Sequence, residues 1–188
     1  MADRTVDASP RAKARIAGVF YLLTIVTGAF AAFVSGKLIV YSEVASLAAS
    51  GCYLIVTLLF YGLFKPVDRS LSLIAAVFSL VGCTMGVLSV FHLLPSPINS
   101  INPLVLFGCY CLLIGYLIFR STFLPRILGV LMAFGGLGWL TFASATLANS
   151  LTPYNLAPGI IGEGALTVWL LAKGVNAERW KEQAGAAV

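Results

Sequence analysis

The sequence predicts an all-α integral membrane protein, a bundle of six transmembrane helices with both termini in the cytoplasm. Three observations carry that prediction. Of 188 residues, 60% are hydrophobic and 10% are charged, where soluble domains carry roughly a quarter. The apolar residues gather into six runs of spanning length. The basic residues gather into alternate connecting segments. So little charge cannot solvate a globular surface of this size, and a mean hydropathy of +0.97 makes the bilayer the natural solvent.

The runs are Ile16–Ser35, Val44–Phe64, Leu71–Leu94, Pro103–Phe119, Ile127–Ala148 and Leu156–Ala172. A spanning helix needs roughly 20 residues, with about 17–25 tolerated, so the fourth and sixth runs sit at the short end. Backbone polar groups in hydrocarbon need internal partners, which favours helices. No run alternates as a barrel strand does. The expected organisation is a tail over residues 1–15, a membrane domain over 16–172 and a second tail over 173–188.

Orientation follows from lysine and arginine. With six spans, one side holds Arg4, Arg11, Lys13, Arg15, Lys65, Arg69, Arg120, Arg126, Lys173, Arg179 and Lys181, and the other holds Lys37 alone. The positive-inside rule makes the crowded side cytoplasmic. The net charge of +5 then calls for no nucleic-acid partner, only contact with anionic headgroups. The basic start, apolar run and Ala29–Ala31 also resemble a cleaved signal, but the run continues past that point, so retention of the first span is expected.

The even-numbered spans end alike, with Tyr61 before Lys65, Tyr116 before Arg120 and Trp169 before Lys173. Four-residue spacing puts each pair on one helix face at the interface. The odd spans begin alike too, as "RIAGV" and "RILGV" show. Shared anchoring of cytoplasmic loops accounts for this better than a duplicated transport unit. Small residues at Gly28, Ala32 and Gly36, at Gly82 and Gly86, and at Gly135, Gly136 and Gly138 predict close helix packing. Such faces also suit a homo-oligomer or a partner membrane protein. The segment "NAERWKEQ" predicts a short interfacial helix anchored by Trp180.

Few residues offer chemistry. Cys52, Cys83, Cys109 and Cys111 lie in apolar runs with no metal-ligand spacing, so no metal or cofactor is expected. Proteolytic or hydrolytic motifs, a phosphate-binding loop and a dinucleotide fingerprint are absent. Membrane hydroxyls such as Thr84 and Thr167 are expected to bond back to their own helices. Two ligand-binding candidates remain. Glu163 lies about seven residues into the last run, or ~10 Å deep, with no cation at similar depth and glycine on both sides. A buried carboxyl without a countercharge is expected to be neutral near pH 7; it either hydrogen-bonds to a neighbouring helix through the gap at Gly162 and Gly164 or lines a binding site or ion path, as intramembrane acids do. His92, near the outer end of the third run, is the second candidate, to share an outer-half cavity with Glu163.

The stretches "ARIAGVFYLLTIVTGAF", "LFKPVDRSL", "YCLLIGYLIFRSTFLPRILGVL" and "GEGALTVWLLAKGVNAERW" resemble a family of bacterial multi-pass membrane proteins catalogued as domain of unknown function 4386. The resemblance runs along nearly the whole chain and is most specific over Tyr110–Leu131. It implies six helices in a bacterial inner membrane and no established activity. The chain departs from the family pattern in its shorter loops. Ser79 stands where members often carry arginine, and "SINPLVLF" where they carry histidine. The resemblance therefore implies a shortened member, with Glu163 at the family's polar position in the last span. Three roles follow as expectations: a small ligand or ion bound near Glu163, an accessory subunit, and, with thinner support, a small transporter.

Overall fold

The computed structural model describes residues 9–34, 38–98 and 101–186, and those residues contain helices and no strands. Their order is α1 (Pro10–Phe33), α2 (Ile39–Phe64), α3 (Arg69–Val90), α4 (Leu104–Arg120), α5 (Arg126–Leu140), a 3-10 turn (Thr141–Ala143), α6 (Ala145–Leu151), α7 (Leu156–Ala172) and α8 (Ala177–Ala186). Four helical stretches are long and apolar enough to cross a membrane: α1, α2, α3 and Arg126–Ala143. A fifth is reached if α6 and α7, which meet at a 79° bend, are taken as one span, and α4 is a shorter apolar helix of 17 residues.

Local chemistry moves several boundaries from those expected. Ser9 caps α1 by accepting the Ala12 N–H, and Pro10 suits the first turn. Residues 10–15, expected in the tail, are therefore helical. Asp68 caps α3 through the Leu71 N–H at 2.9 Å. That helix stops at Val90, four residues before the expected end. The fifth run breaks early because hydroxyls compete for its backbone. Thr141 donates to the Gly138 carbonyl, and extended Ser144 caps α6. Gly36 and Lys37 lie outside the described residues.

Neighbouring helices pack in sequence from α1 to α5, then α5 against α7 and α7 against α1. Glycine permits the closest approaches. A side chain at Gly115 would meet the Gly129 carbonyl at 2.7 Å, and one at Gly136 would meet the Gly108 carbonyl at 2.8 Å. These pairs bring α4 and α5 into backbone contact, as small residues do in lipid. Gly82 is covered by Phe107 and Gly86 faces Ser50, so that face is used within the chain, whereas Gly28 is open.

One end of the bundle collects the basic residues. Arg15 donates to the Ala172 carbonyl, joining the start of α1 to the end of α7. The Asn176 N–H donates to the Phe123 carbonyl, and the Trp180 indole donates to the Leu63 carbonyl at 2.8 Å. Trp180 thus docks α8 onto the end of α2. Two of the expected anchor pairs are in contact: Arg120 with the Tyr116 hydroxyl at 3.0 Å, and Lys173 over the Trp169 ring at 4.6 Å.

Candidate functional site

Glu163 sits on the eighth position of α7 and is 9% exposed. The approach of α7 to α5 aims it inward. Gly162 lies against the Leu131 carbonyl with no room for a side chain, and Gly159 lies under the Trp139 ring. That ring therefore reaches across α7, and its Nε1 donates to Glu163 Oε1 at 2.7 Å. Cys111 of α4 donates its thiol to the same oxygen at 3.6 Å. One carboxyl thereby joins α4, α5 and α7. Gly164, the other flanking glycine, faces open space.

Three tyrosines complete the surroundings. Tyr21, Tyr53 and Tyr110 are 0%, 5% and 1% exposed. Their rings meet edge to face, with centroids 5.6 Å apart for Tyr21–Tyr53 and again for Tyr53–Tyr110. Tyr53 and Tyr110 lie within electrostatic reach of the Glu163 carboxyl. The Tyr21 hydroxyl stands near both Tyr53 and that carboxyl. The Tyr21 hydroxyl thus has loose polar neighbours, whereas the Tyr110 hydroxyl and Thr167 Oγ1, one turn beyond Glu163, complete no hydrogen bond among the described residues. Thr167 is thus unlike Thr84, which bonds back to the Leu80 carbonyl at 2.8 Å. Buried polar groups are almost always paired, and an unpaired one costs about 1–3 kcal/mol. Buried hydroxyls with incomplete bonding therefore gather beside one carboxyl.

His92 lies elsewhere. It is exposed, beyond the last turn of α3, with φ of 54°. The 22 residues of α3 put it about 33 Å from the basic end, at 1.5 Å per residue. Glu163 lies nine residues before Ala172, about 14 Å from that end. The structure does not bring the two together.

Sequence reasoning found Glu163 and missed its neighbours, although a signal was present. Tyrosine in membrane helices favours the interface. Yet Tyr21 lies eleven residues past Pro10, Tyr53 eleven before Phe64 and Tyr110 ten before Arg120. Equal depth on three helices, matched by Glu163 on a fourth, places them in one layer. Among the described residues no three His, Cys, Asp or Glu side chains converge as metal ligands. The chemistry assembled is one carboxyl, one thiol, an indole donor and phenolic hydroxyls.

Long apolar helices with polar groups turned inward, and with Phe33 at 82% and Val168 at 67% exposure, define a helical membrane protein with lipid as its solvent. Residues 96–174 match the family model described as Domain of unknown function (DUF4386). The match takes in α4 to α7, with Tyr110, Cys111, Trp139 and Glu163, and stops short of α1 to α3. Neither curated proteins nor solved structures give a match.

Proposed function

We propose that the protein is a six-span component of a bacterial inner membrane that binds a small cation at the Glu163 layer, a primary ammonium being the best fit. In this reading α4 and α7 cross as short spans and α6 lies across the outer end of α7. The basic end faces the cytoplasm, with both termini. Glu163 supplies the acidic group, and Tyr21, Tyr53 and Tyr110 supply acceptor oxygens and ring faces. An ammonium has three donors and no acceptor, and aromatic faces attract cations. The carrying observation is the buried carboxyl beside tyrosine hydroxyls whose bonding is incomplete. His92, exposed at the end of α3, has no part in this site.

A second reading has its own observation. The carboxyl already accepts from Trp139 and Cys111, so Glu163 serves as a bond between three helices in an accessory subunit. Thermal unfolding in detergent separates the two. Ammonium, methylammonium, sodium and neutral acetamide are added to wild type and to Glu163→Gln. Cation binding predicts a rise in melting temperature with the ammonium compounds in wild type alone. Equal shifts in both proteins, or none in wild type, leave the helix-linking reading.

A further inference from the structure

A groove lies at the basic end, apart from the Glu163 layer. It has a volume of about 560 Å³ and lies between the start of α1, the α4–α5 loop and the turn from α7 to α8. Arg11, Lys173 and Arg179 line it against one carboxylate, that of Glu178. Its walls are held by the protein's own bonds. The Asn176 N–H donates to the Phe123 carbonyl at 3.2 Å, and Thr122 donates through its N–H to Gln183 Oε1 at 3.0 Å. Gly174, at φ of 68°, makes the turn tight enough for Arg11 to lie against it. Arg179 reaches the Thr122 carbonyl at 3.5 Å and Lys173 covers Trp169. Among the described residues none of the three cations has a carboxylate partner within ion-pair distance. Arg15, nearby, is occupied with the end of α7.

We infer that this groove binds the phosphoryl group of an anionic molecule, with Arg11 and Arg179 as its main contacts and an anionic phospholipid as the occupant. Guanidinium groups match phosphate oxygens in pairs. Lys173 adds a point charge. Trp169 is the kind of aromatic that sits at headgroup depth, and Val168, the next residue in the chain, is exposed and apolar. A headgroup in the groove thus leaves its acyl chains beside a lipid-facing surface. Basic pockets between membrane helices suit phosphate headgroups for these reasons.

The test uses the whole protein in nanodiscs of mixed phosphatidylglycerol and phosphatidylcholine, with retained lipid counted by native mass spectrometry. Wild type is expected to retain phosphatidylglycerol preferentially. Arg11→Ala with Arg179→Ala should lower that preference about thirtyfold, from roughly 1 kcal/mol per basic contact. Arg120→Ala with Arg126→Ala removes the same charge from the same end outside the groove and should change it little. An equal loss in both double variants, or none in the groove variant, overturns the site. Displacement of the lipid by glycerol phosphate, dependent on Arg11 and Arg179, upholds the phosphoryl site and assigns it a soluble occupant. No displacement upholds the lipid.

Discussion

Thr57 with Ser79, and Glu163 with its tyrosines, are both polar groups buried between helices, but they are completed differently. The hydroxyls of Thr57 and Ser79 bond to each other across α2 and α3, and Thr57 also bonds back to the Tyr53 carbonyl at 2.9 Å. Nothing more is asked of the surroundings. Such a pair holds helices together for around 0.6 kcal/mol on average. The Glu163 layer draws on five helices, yet its Trp139 and Cys111 donors share one carboxyl oxygen, and the tyrosine hydroxyls beside it are incompletely bonded. A membrane interior has no bulk water to take up that shortfall. The finished pair is helix glue, and the unfinished layer is the place proposed for a ligand.

The largest expected effect comes from breaking the layer's scaffold. Gly162→Leu sets a side chain against the Leu131 carbonyl and pushes α7 from α5. A loss of about 3 kcal/mol is expected, at the top of the overpacking range. Gly164→Leu enters open space and should leave the melting temperature within a degree or two, by the rough scale for neutral substitutions. Thermal unfolding of both variants in one detergent checks this. Equal destabilisation would mean that α7 lies otherwise.

The next comparison sets the two polar regions side by side. Trp139→Phe keeps an aromatic ring over Gly159 but removes the donor to Glu163. It leaves the buried carboxyl oxygen with only the weak Cys111 thiol as donor, at an expected cost of about 1–3 kcal/mol. Ser79→Ala removes one hydroxyl from a pair whose other member keeps its bond to the Tyr53 carbonyl, so about 0.6 kcal/mol is expected. Denaturant titration in mixed micelles measures both. A larger loss for Ser79→Ala would reverse the contrast between the regions.

Much of the fold was legible in the sequence because membrane solvation writes itself into composition. The positions of α1 to α5 and α7 follow the apolar runs. The gathering of Arg15, Lys65, Arg120 and Lys173 at one end follows from their alternation along the chain. The break at Ser144 was not legible, because a run of small and hydroxylic residues reads as apolar while its side chains compete for backbone bonds. Of the candidate site, the sequence singled out Glu163 alone among the residues that the layer brings together. Depth is one-dimensional information, and it puts Tyr21, Tyr53 and Tyr110 in the right layer. Which helix faces meet is set by packing, through contacts such as Gly159 under Trp139, and that rotation has no simple signature. His92 shows the converse. Its residue type suggested a site, but its position at the end of α3 takes it away from Glu163.

The smallest expected effect is the most informative about the layer. Tyr110→Phe removes a hydroxyl that is buried and has no partner among the described residues, and leaves its ring against Tyr53. Losing an unpaired polar group should leave stability unchanged or raise it by up to about 1 kcal/mol. If the layer holds a cation, the same variant should weaken the ammonium-dependent rise in melting temperature, because one acceptor is gone. Stability and ligand response would then move in opposite directions, which no packing defect does. A loss of stability comparable to that of Trp139→Phe would mean instead that the Tyr110 hydroxyl is satisfied within the folded protein. The layer would then be finished in the same sense as Thr57 and Ser79, with Glu163 as its central hydrogen-bond acceptor.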